Sequence, residues 1–391
     1  MARPGIAVRT LLDLAGTATT ADLSAPIAAD WQAIGTLAAL HRLGPWLHHR
    51  HKTEDAIPEE LRRDWAVAYR QAALTALVQH ADAADAMALL DAQGFEPVAL
   101  KGAFLARNAY PEAALRPMRD IDILVPADRI LPAFEALRAA GHTLVGQSKI
   151  ALEEAARLDK HMPPLRMPRG TMLELHARLM ERNGRLEYAT PEGDEHALRG
   201  RAIVKDGLRY PAPADLLAHL VVHAVYGHRF DCGPLLLTDV RFLAASQSID
   251  WDLFWQRAEA ESWADGAALV LALVRHYHGA AGLPRHAAEP AAPDDAMLDL
   301  ARSLLLQDFT TKINARFLAT LATGGFGKVH DLAAGRVRVA DDEGTRIDRA
   351  QDGGRLAWTI GKLRSLAASL ADPAQRRQAR DLARFRRWLQ G

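Results

Sequence analysis

The stretch that decides the fold begins Leu100-Lys101-Gly102-Ala103-Phe104-Leu105 and continues as a helical pattern to Ala109. It breaks at Tyr110-Pro111 and resumes as Leu115-Arg116-Pro117-Met118-Arg119-Asp120-Ile121-Asp122-Ile123-Leu124-Val125. Pro111 disfavours helix at the residue before it. Residues 97–100, Pro-Val-Ala-Leu, form a short apolar run of strand type, and residues 120–125 alternate acid with aliphatic until Pro126 closes them. Side chains at i and i+2 of a strand share a face, so Asp120 and Asp122 project together. Two carboxylates so placed repel unless a cation lies between them, and hard oxygen ligands suit Mg²⁺ or Mn²⁺. Gly102 follows a strand and opens a helix, the arrangement in which backbone N–H groups can cradle phosphate. Lys101 and Arg116 are placed to neutralise phosphate charge; the competing reading is that each pairs with an acidic neighbour.

Working downstream, Ile130 to Ala140 is an amphipathic helical segment stopped by Gly141, and Thr143 to Val145 is of strand type. After Pro163, Pro164 and Pro168, the run Thr171 to Leu179 alternates again, with Leu173 and Leu175 on one side and Glu174 and His176 on the other. Glu174 is the best supplier of the third carboxylate that two divalent ions need, and His176, on its face, is a supporting ligand-side residue. Two such ions can organise an in-line displacement at phosphorus. Strand, helix, strand, helix, strand, strand within residues 94–210 is a small α/β unit. Upstream, residues 1–93 read as helical: Leu61 to Leu90 has no Gly or Pro and forms one or two long helices ended by Gly94. Downstream, residues 211–290 carry helical patterns at Asp215 to Tyr226, Leu235 to Ala245, Trp251 to Glu261 and Ala264 to His278. Leu283 to Asp294, rich in Pro and Ala, reads as a linker or long loop. Residues 291–391 form a mostly helical extension, interrupted by a Gly- and Asp-scattered excursion at Gly324 to Gly354.

The 391 residues hold 48 basic and 48 acidic side chains, a balance unlike that of proteins living on long nucleic acids. Cys232 is the only cysteine, which leaves no disulfide framework and no thiolate metal cluster and fits a reducing cytoplasm. The N-terminal residues lack the apolar core of a secretory signal. The longest apolar run, Gly266 to Val274, is far short of the roughly 20 residues of a membrane span. The expectation is a soluble cytoplasmic protein with no membrane partner.

The motifs at Leu100 to Leu105, Tyr110 and Leu115 to Val125 resemble the signature of the uncharacterised bacterial nucleotidyltransferase family within the polymerase-β superfamily. His161-Met162-Pro163-Pro164-Leu165 and Leu173-Glu174-Leu175-His176 resemble its middle section. Leu220-Val221-Val222-His223-Ala224, Leu237-Thr238-Asp239-Val240 and Asp250-Trp251 resemble its helical part, so the similarity spans roughly residues 35 to 280. The resemblance implies an α+β fold: a small mixed-sheet polymerase-β-type nucleotidyltransferase core flanked by N- and C-terminal α-helical regions. It implies transfer of a nucleoside monophosphate from an NTP, ATP among them, to a hydroxyl or phosphate acceptor, with Mg²⁺ or Mn²⁺ as cofactor and pyrophosphate released. Asp120 and Asp122 would ligate both ions, Glu174 would hold the catalytic ion and assist deprotonation of the acceptor, and Gly102 would meet the triphosphate. The chain departs from the wider superfamily in having Gly102-Ala103 for the usual Gly-Ser, a longer gap from Gly102 to Asp120, and Arg119 where serine is frequent.

Other readings stand beside this one. His219 and His223 have ligand-capable i, i+4 spacing with His228 nearby, but no Glu of the metalloprotease type lies between them, and a helix packed under the site accounts for them without structural zinc. The stretch 355–391 has nine Lys or Arg against two Asp, with Leu, Ala and Trp388 at helical spacing; this reads as an amphipathic helix with a solvated basic face. The acceptor is a small molecule, peptide or protein in preference to long RNA. The rivals are a catalytically degenerate nucleotide- or partner-binding protein and a toxin-like tRNA-modifying nucleotidyltransferase.

Overall fold

The computed structural model describes residues 4–146, 151–181, 191, 193–307, 318–319 and 371–389. The expected excursion at 324–354 lies outside the described residues.

Four helices precede the sheet: α1 (Pro4–Ala15), α2 (Ala28–Leu40), α3 (Gly44–His51) and α4 (Glu59–Ala92). The Gly- and Pro-free stretch is one 34-residue helix, with Glu59 and Glu60 in its positively polarised first turn. Gly94, at φ +72°, ends it in the left-handed conformation that glycine adopts without Cβ strain.

The central sheet has five strands: β1 (Val98–Ala99), β2 (Asp120–Leu124), β3 (Thr143–Leu144), β4 (Leu165–Arg166) and β5 (Met172–His176). Their spatial order is β1-β2-β5-β4-β3. Strands β2 and β5 run parallel, and the other pairs are antiparallel. In the central pair Asp120 lies opposite Met172, Asp122 opposite Glu174, and Leu124 opposite His176. The alternation in both strands is that of a face buried on aliphatics, with Ile121, Ile123, Leu173 and Leu175 essentially inaccessible. Helices α4, α5 (Gly102–Asn108) and α6 (Ile130–Ala139) pack on this sheet.

Elements within residues 94–210 depart from the sequence expectation. Leu152–Leu158 is a short helix, α7; Leu165–Arg166 is a strand; and β6 (Ile203–Lys205) and β7 (Leu208–Tyr210) form a hairpin. The hairpin turn is Asp206-Gly207, with φ +50° and +78°, the pairing that a tight two-residue turn selects.

After α8 (Glu195–Gly200) the chain is helical: α9 (Pro213–Val222), α10 (Leu235–Ser246), α11 (Trp251–Ala260), α12 (Ala264–His278), α13 (Asp295–Leu305) and α14 (Pro373–Leu389). Asp250 and Asp294 cap α11 and α13 by accepting hydrogen bonds from Leu253 and Met297 N–H. The expected helix 215–226 ends at Val222, where a π-helical turn, His223–Gly227, takes over. The Pro- and Ala-rich segment is irregular, but Arg275 and Arg285 pin it by pairing with the Glu289 carboxylate, whose side chain is 3% exposed. Helix α14 rests Leu382, Ala383 and Phe385 in the core beside α13, while Arg380 and Arg384 face outward, as an amphipathic reading requires. Among the described residues no helix is long and apolar enough to cross a membrane.

Candidate active site

The site forms where β1, β2, β5 and α9 meet. Pairing of β1 with β2 continues past Ala99, because Leu100 N–H donates to the Asp122 carbonyl at 2.9 Å. This fixes Lys101 beside Asp122. Lys101 adopts φ +43° and ψ −111°, a conformation that costs a side-chain-bearing residue on the order of 1–3 kcal/mol and persists where the surroundings enforce it. The strained backbone aims the ammonium inward: Nζ lies 3.4 Å from Asp122 Oδ2 and 3.2 Å from His223 Nε2.

Opposite it, Asp122, Glu174 and His176 form a buried triad whose ligating atoms all lie within 4.8 Å of one another. His176 Nε2 is 2.8 Å from Asp122 Oδ1 and 3.4 Å from Glu174 Oε2, and its Nδ1 donates to the Arg178 carbonyl at 3.3 Å. His161 approaches from the segment before β4, with Nε2 3.6 Å from Glu174 Oε2 and Nδ1 donating to the Met162 carbonyl at 2.8 Å. Burial alone would raise the Asp122 carboxyl, but the Lys101 charge and the His176 hydrogen bond outweigh it and hold the group well below its ordinary range. Burial likewise opposes protonation of His176, yet its bonds to Asp122 and Glu174 raise its pKa to about 9. In the free protein an imidazolium thus ties the two carboxylates together.

The donor set fits a divalent cation. Two ligands each about 2.1 Å from one ion stand about 3.0 Å apart at right angles, close to the observed separations. Asp120 is half-buried at the start of β2 and lies outside the triad; its charge is felt by Arg42 and Arg116. Arg116, expected at phosphate, is instead clasped by the buried Asp239. Its Nε donates to Oδ1 at 3.1 Å and Nη2 to Oδ2 at 2.9 Å, while the Tyr110 hydroxyl donates to Oδ1 at 2.7 Å. Gly102 is required by close approach, since a Cβ there would stand 2.6 Å from Arg116 Nη1 and 2.8 Å from Met118 Sδ.

The structure brings Lys101, Gly102, Asp122, Glu174 and His176 together, and it adds groups the sequence reading passed over. Lys160 lowers the pKa of Asp122, His219 and His223 by its charge. Arg42, from the turn after α2, interacts with Arg119, Arg116 and Asp120, and burial brings its guanidinium down to about 10. The π-helical turn starts at His223, the residue that touches Lys101. His223 and His219 are held neutral, well below the ordinary imidazole range, first by burial and then by Lys101. His219 and His223 pack edge-to-face at 5.8 Å, while His228 turns its Nδ1 to Asp231 at 2.9 Å. The helix is packed under the site as expected, but its histidines are not all satisfied by hydrogen bonds: both ring nitrogens of the buried His219 lack a hydrogen-bond partner among the described residues.

A family model described as an uncharacterised nucleotidyltransferase matches residues 28–279, a span that includes the triad, Lys101 and the Arg116–Asp239 clasp. No curated protein and no solved structure matches the chain.

Proposed function

From the premise that the chain belongs to the uncharacterised nucleotidyltransferase family, we propose that it moves a nucleoside monophosphate from an NTP to a hydroxyl or phosphate acceptor and releases pyrophosphate. The observation that carries this reading is the buried convergence of Asp122, Glu174 and His176 across two adjacent parallel strands, with the Lys101 ammonium against it. A divalent cation bound there supplies charge neutralisation and Lewis acidity toward phosphoryl oxygen. The other tasks fall to the chain. Lys101 and Lys160 offset the charge of the phosphates, the backbone at Gly102 meets the triphosphate, and Asp120 is the second carboxylate of the β2 face. Glu174 accepts the proton of the attacking hydroxyl. The acceptor oxygen bonds to the α-phosphorus as the α–β bridging P–O bond breaks, and pyrophosphate leaves with that electron pair.

The balanced charge of the chain favours a small-molecule, peptide or protein acceptor over long RNA. Incubation with each of the four α-³²P-labelled NTPs, Mg²⁺ or Mn²⁺ and a cell extract, resolved into protein, RNA and small molecules, tests the reading. The expected result is metal-dependent label transfer that falls at least about 100-fold in Asp122→Asn and Asp120→Asn. Transfer undiminished in Asp122→Asn would overturn the mechanism. A second reading, nucleotide binding without turnover, is favoured by Ala103 standing where a hydroxyl would contact phosphate; metal-dependent NTP binding with no transfer to any acceptor class would support it.

A further inference from the structure

Both imidazoles that face the carboxylates have their Nδ1 committed to a backbone carbonyl: His176 to that of Arg178 and His161 to that of Met162. A carbonyl can only accept, so Nδ1 carries the hydrogen in each ring. Nε2 is then the ring nitrogen left to face the site. Both Nε2 atoms point at carboxylate oxygens: His176 at Asp122 and Glu174, and His161 at Glu174. Nε2 of His176 thus stands 2.8 Å from Asp122 Oδ1 and 3.4 Å from Glu174 Oε2, and a divalent ion that displaces the Nε2 proton meets one ring nitrogen and two carboxylates at once. Fixing of the distal nitrogen by a backbone carbonyl is also the support that metal-ligating histidines have.

Resting on the reading that this site binds a divalent ion for nucleotidyl transfer, we infer that His176 Nε2 is a direct metal ligand. The site therefore selects a first-row transition ion over Mg²⁺. An imidazole nitrogen adds affinity for Mn²⁺ and the later divalent ions, whereas Mg²⁺ takes oxygen donors and holds its water. His161 acts through Glu174, keeping its carboxylate turned to the ion, and is a positioning residue.

The test uses the full chain and Mn²⁺ as the probe. Mn²⁺ and Mg²⁺ affinities are measured by calorimetry and competition for wild type and His176→Gln, and electron spin-echo spectroscopy is recorded on the Mn²⁺-loaded wild type. The expected wild-type result is Mn²⁺ binding at least about tenfold tighter than Mg²⁺, with a ¹⁴N modulation from a coordinated imidazole. In His176→Gln the modulation disappears, Mn²⁺ affinity falls about 10- to 100-fold, and Mg²⁺ affinity changes by less than about threefold. Absence of ¹⁴N modulation in wild type, equal affinity for the two ions, or failure to bind Mn²⁺ overturns the inference, and the wild-type spectrum decides it even if the variant folds poorly. Nitrogen-coordinated Mn²⁺ without nucleotidyl transfer would retain the metal assignment and remove the transferase reading. Transfer with Mg²⁺ and no nitrogen coupling would do the reverse.

Discussion

Replacing Asp239 with alanine removes the carboxylate that joins α10 to the segment leading into β2. Asp239 is 3% exposed and the Arg116 side chain 16%, so the guanidinium and the Tyr110 hydroxyl are left with little access to water. The cost can be reckoned in two ways. Three hydrogen bonds are lost, and at the low end for bonds to charged groups, about 1.5 kcal/mol each, they amount to about 4.5 kcal/mol. Stranding one member of a buried ion pair costs about 3–5 kcal/mol. Both lead to an expected loss of about 4 kcal/mol, a large share of the 5–15 kcal/mol typical of a folded domain. Urea unfolding followed by tryptophan fluorescence reads this as a lower midpoint at unchanged slope. The double variant Arg116→Met with Asp239→Leu removes the charge together with its partner and is expected to lose less than half as much. An Asp239→Ala protein within 1 kcal/mol of wild type, or a double variant as unstable as the single, would refute the assignment of Arg116 to a structural clasp.

Two further outcomes follow from conformation and charge. Because Lys101 holds φ +43°, Lys101→Gly is expected to be about 1–2 kcal/mol more stable than Lys101→Ala, both lacking the ammonium; equal midpoints in urea would show that the backbone there is unstrained. His278 is buried beside Thr17, and burial first, then the charges of Arg50 and Arg241, bring its pKa down to about 3 from 6.5. Between those values the unfolded chain takes up a proton that the folded protein refuses, so this residue's contribution to stability falls as pH drops below 6.5. It is lost by on the order of 2 kcal/mol at pH 5. Measured from pH 7 to 5, His278→Gln should have a correspondingly flatter stability profile, and an unchanged slope would be the contrary result.

The parts of the site carried by long alternating strands were legible in the sequence. Asp122, Glu174 and His176 reveal themselves because period-2 patterning places an acid or imidazole opposite buried aliphatics. Strand β4, at two residues, is too short to display a period, and the seven residues of α7 give barely two helical turns; the equally short β1 and β3 were legible only as short strand-type runs at residues 97–100 and 143–145. The hairpin at Asp206-Gly207 had a readable signal, the Asp-Gly turn between Ile203-Val204-Lys205 and Leu208-Arg209-Tyr210, that went unused. Arg42 and Lys160 were beyond any local pattern, since only the tertiary fold carries them to the site, and His161 stood out only within a segment of family resemblance, with no role attached. The partner of Arg116 was hidden for the same reason: nothing in the spacing of residues 116 and 239 ties one to the other.

The parallel pairing of β2 with β5 also has a consequence for how the protein comes into being. Glu174 lies 52 positions beyond Asp122 (174 − 122), and a parallel pair cannot close through a tight turn, so the intervening chain must be made and threaded before the two strands meet. Contacts of such sequence separation form slowly because the entropy of loop closure is lost before the pairing compensates for it. The ion-holding triad therefore does not exist on a nascent or partly folded chain. Acquisition of a cation marks the arrival of β5, and an ion that binds only the finished site stabilises native molecules against unfolding in proportion to its concentration.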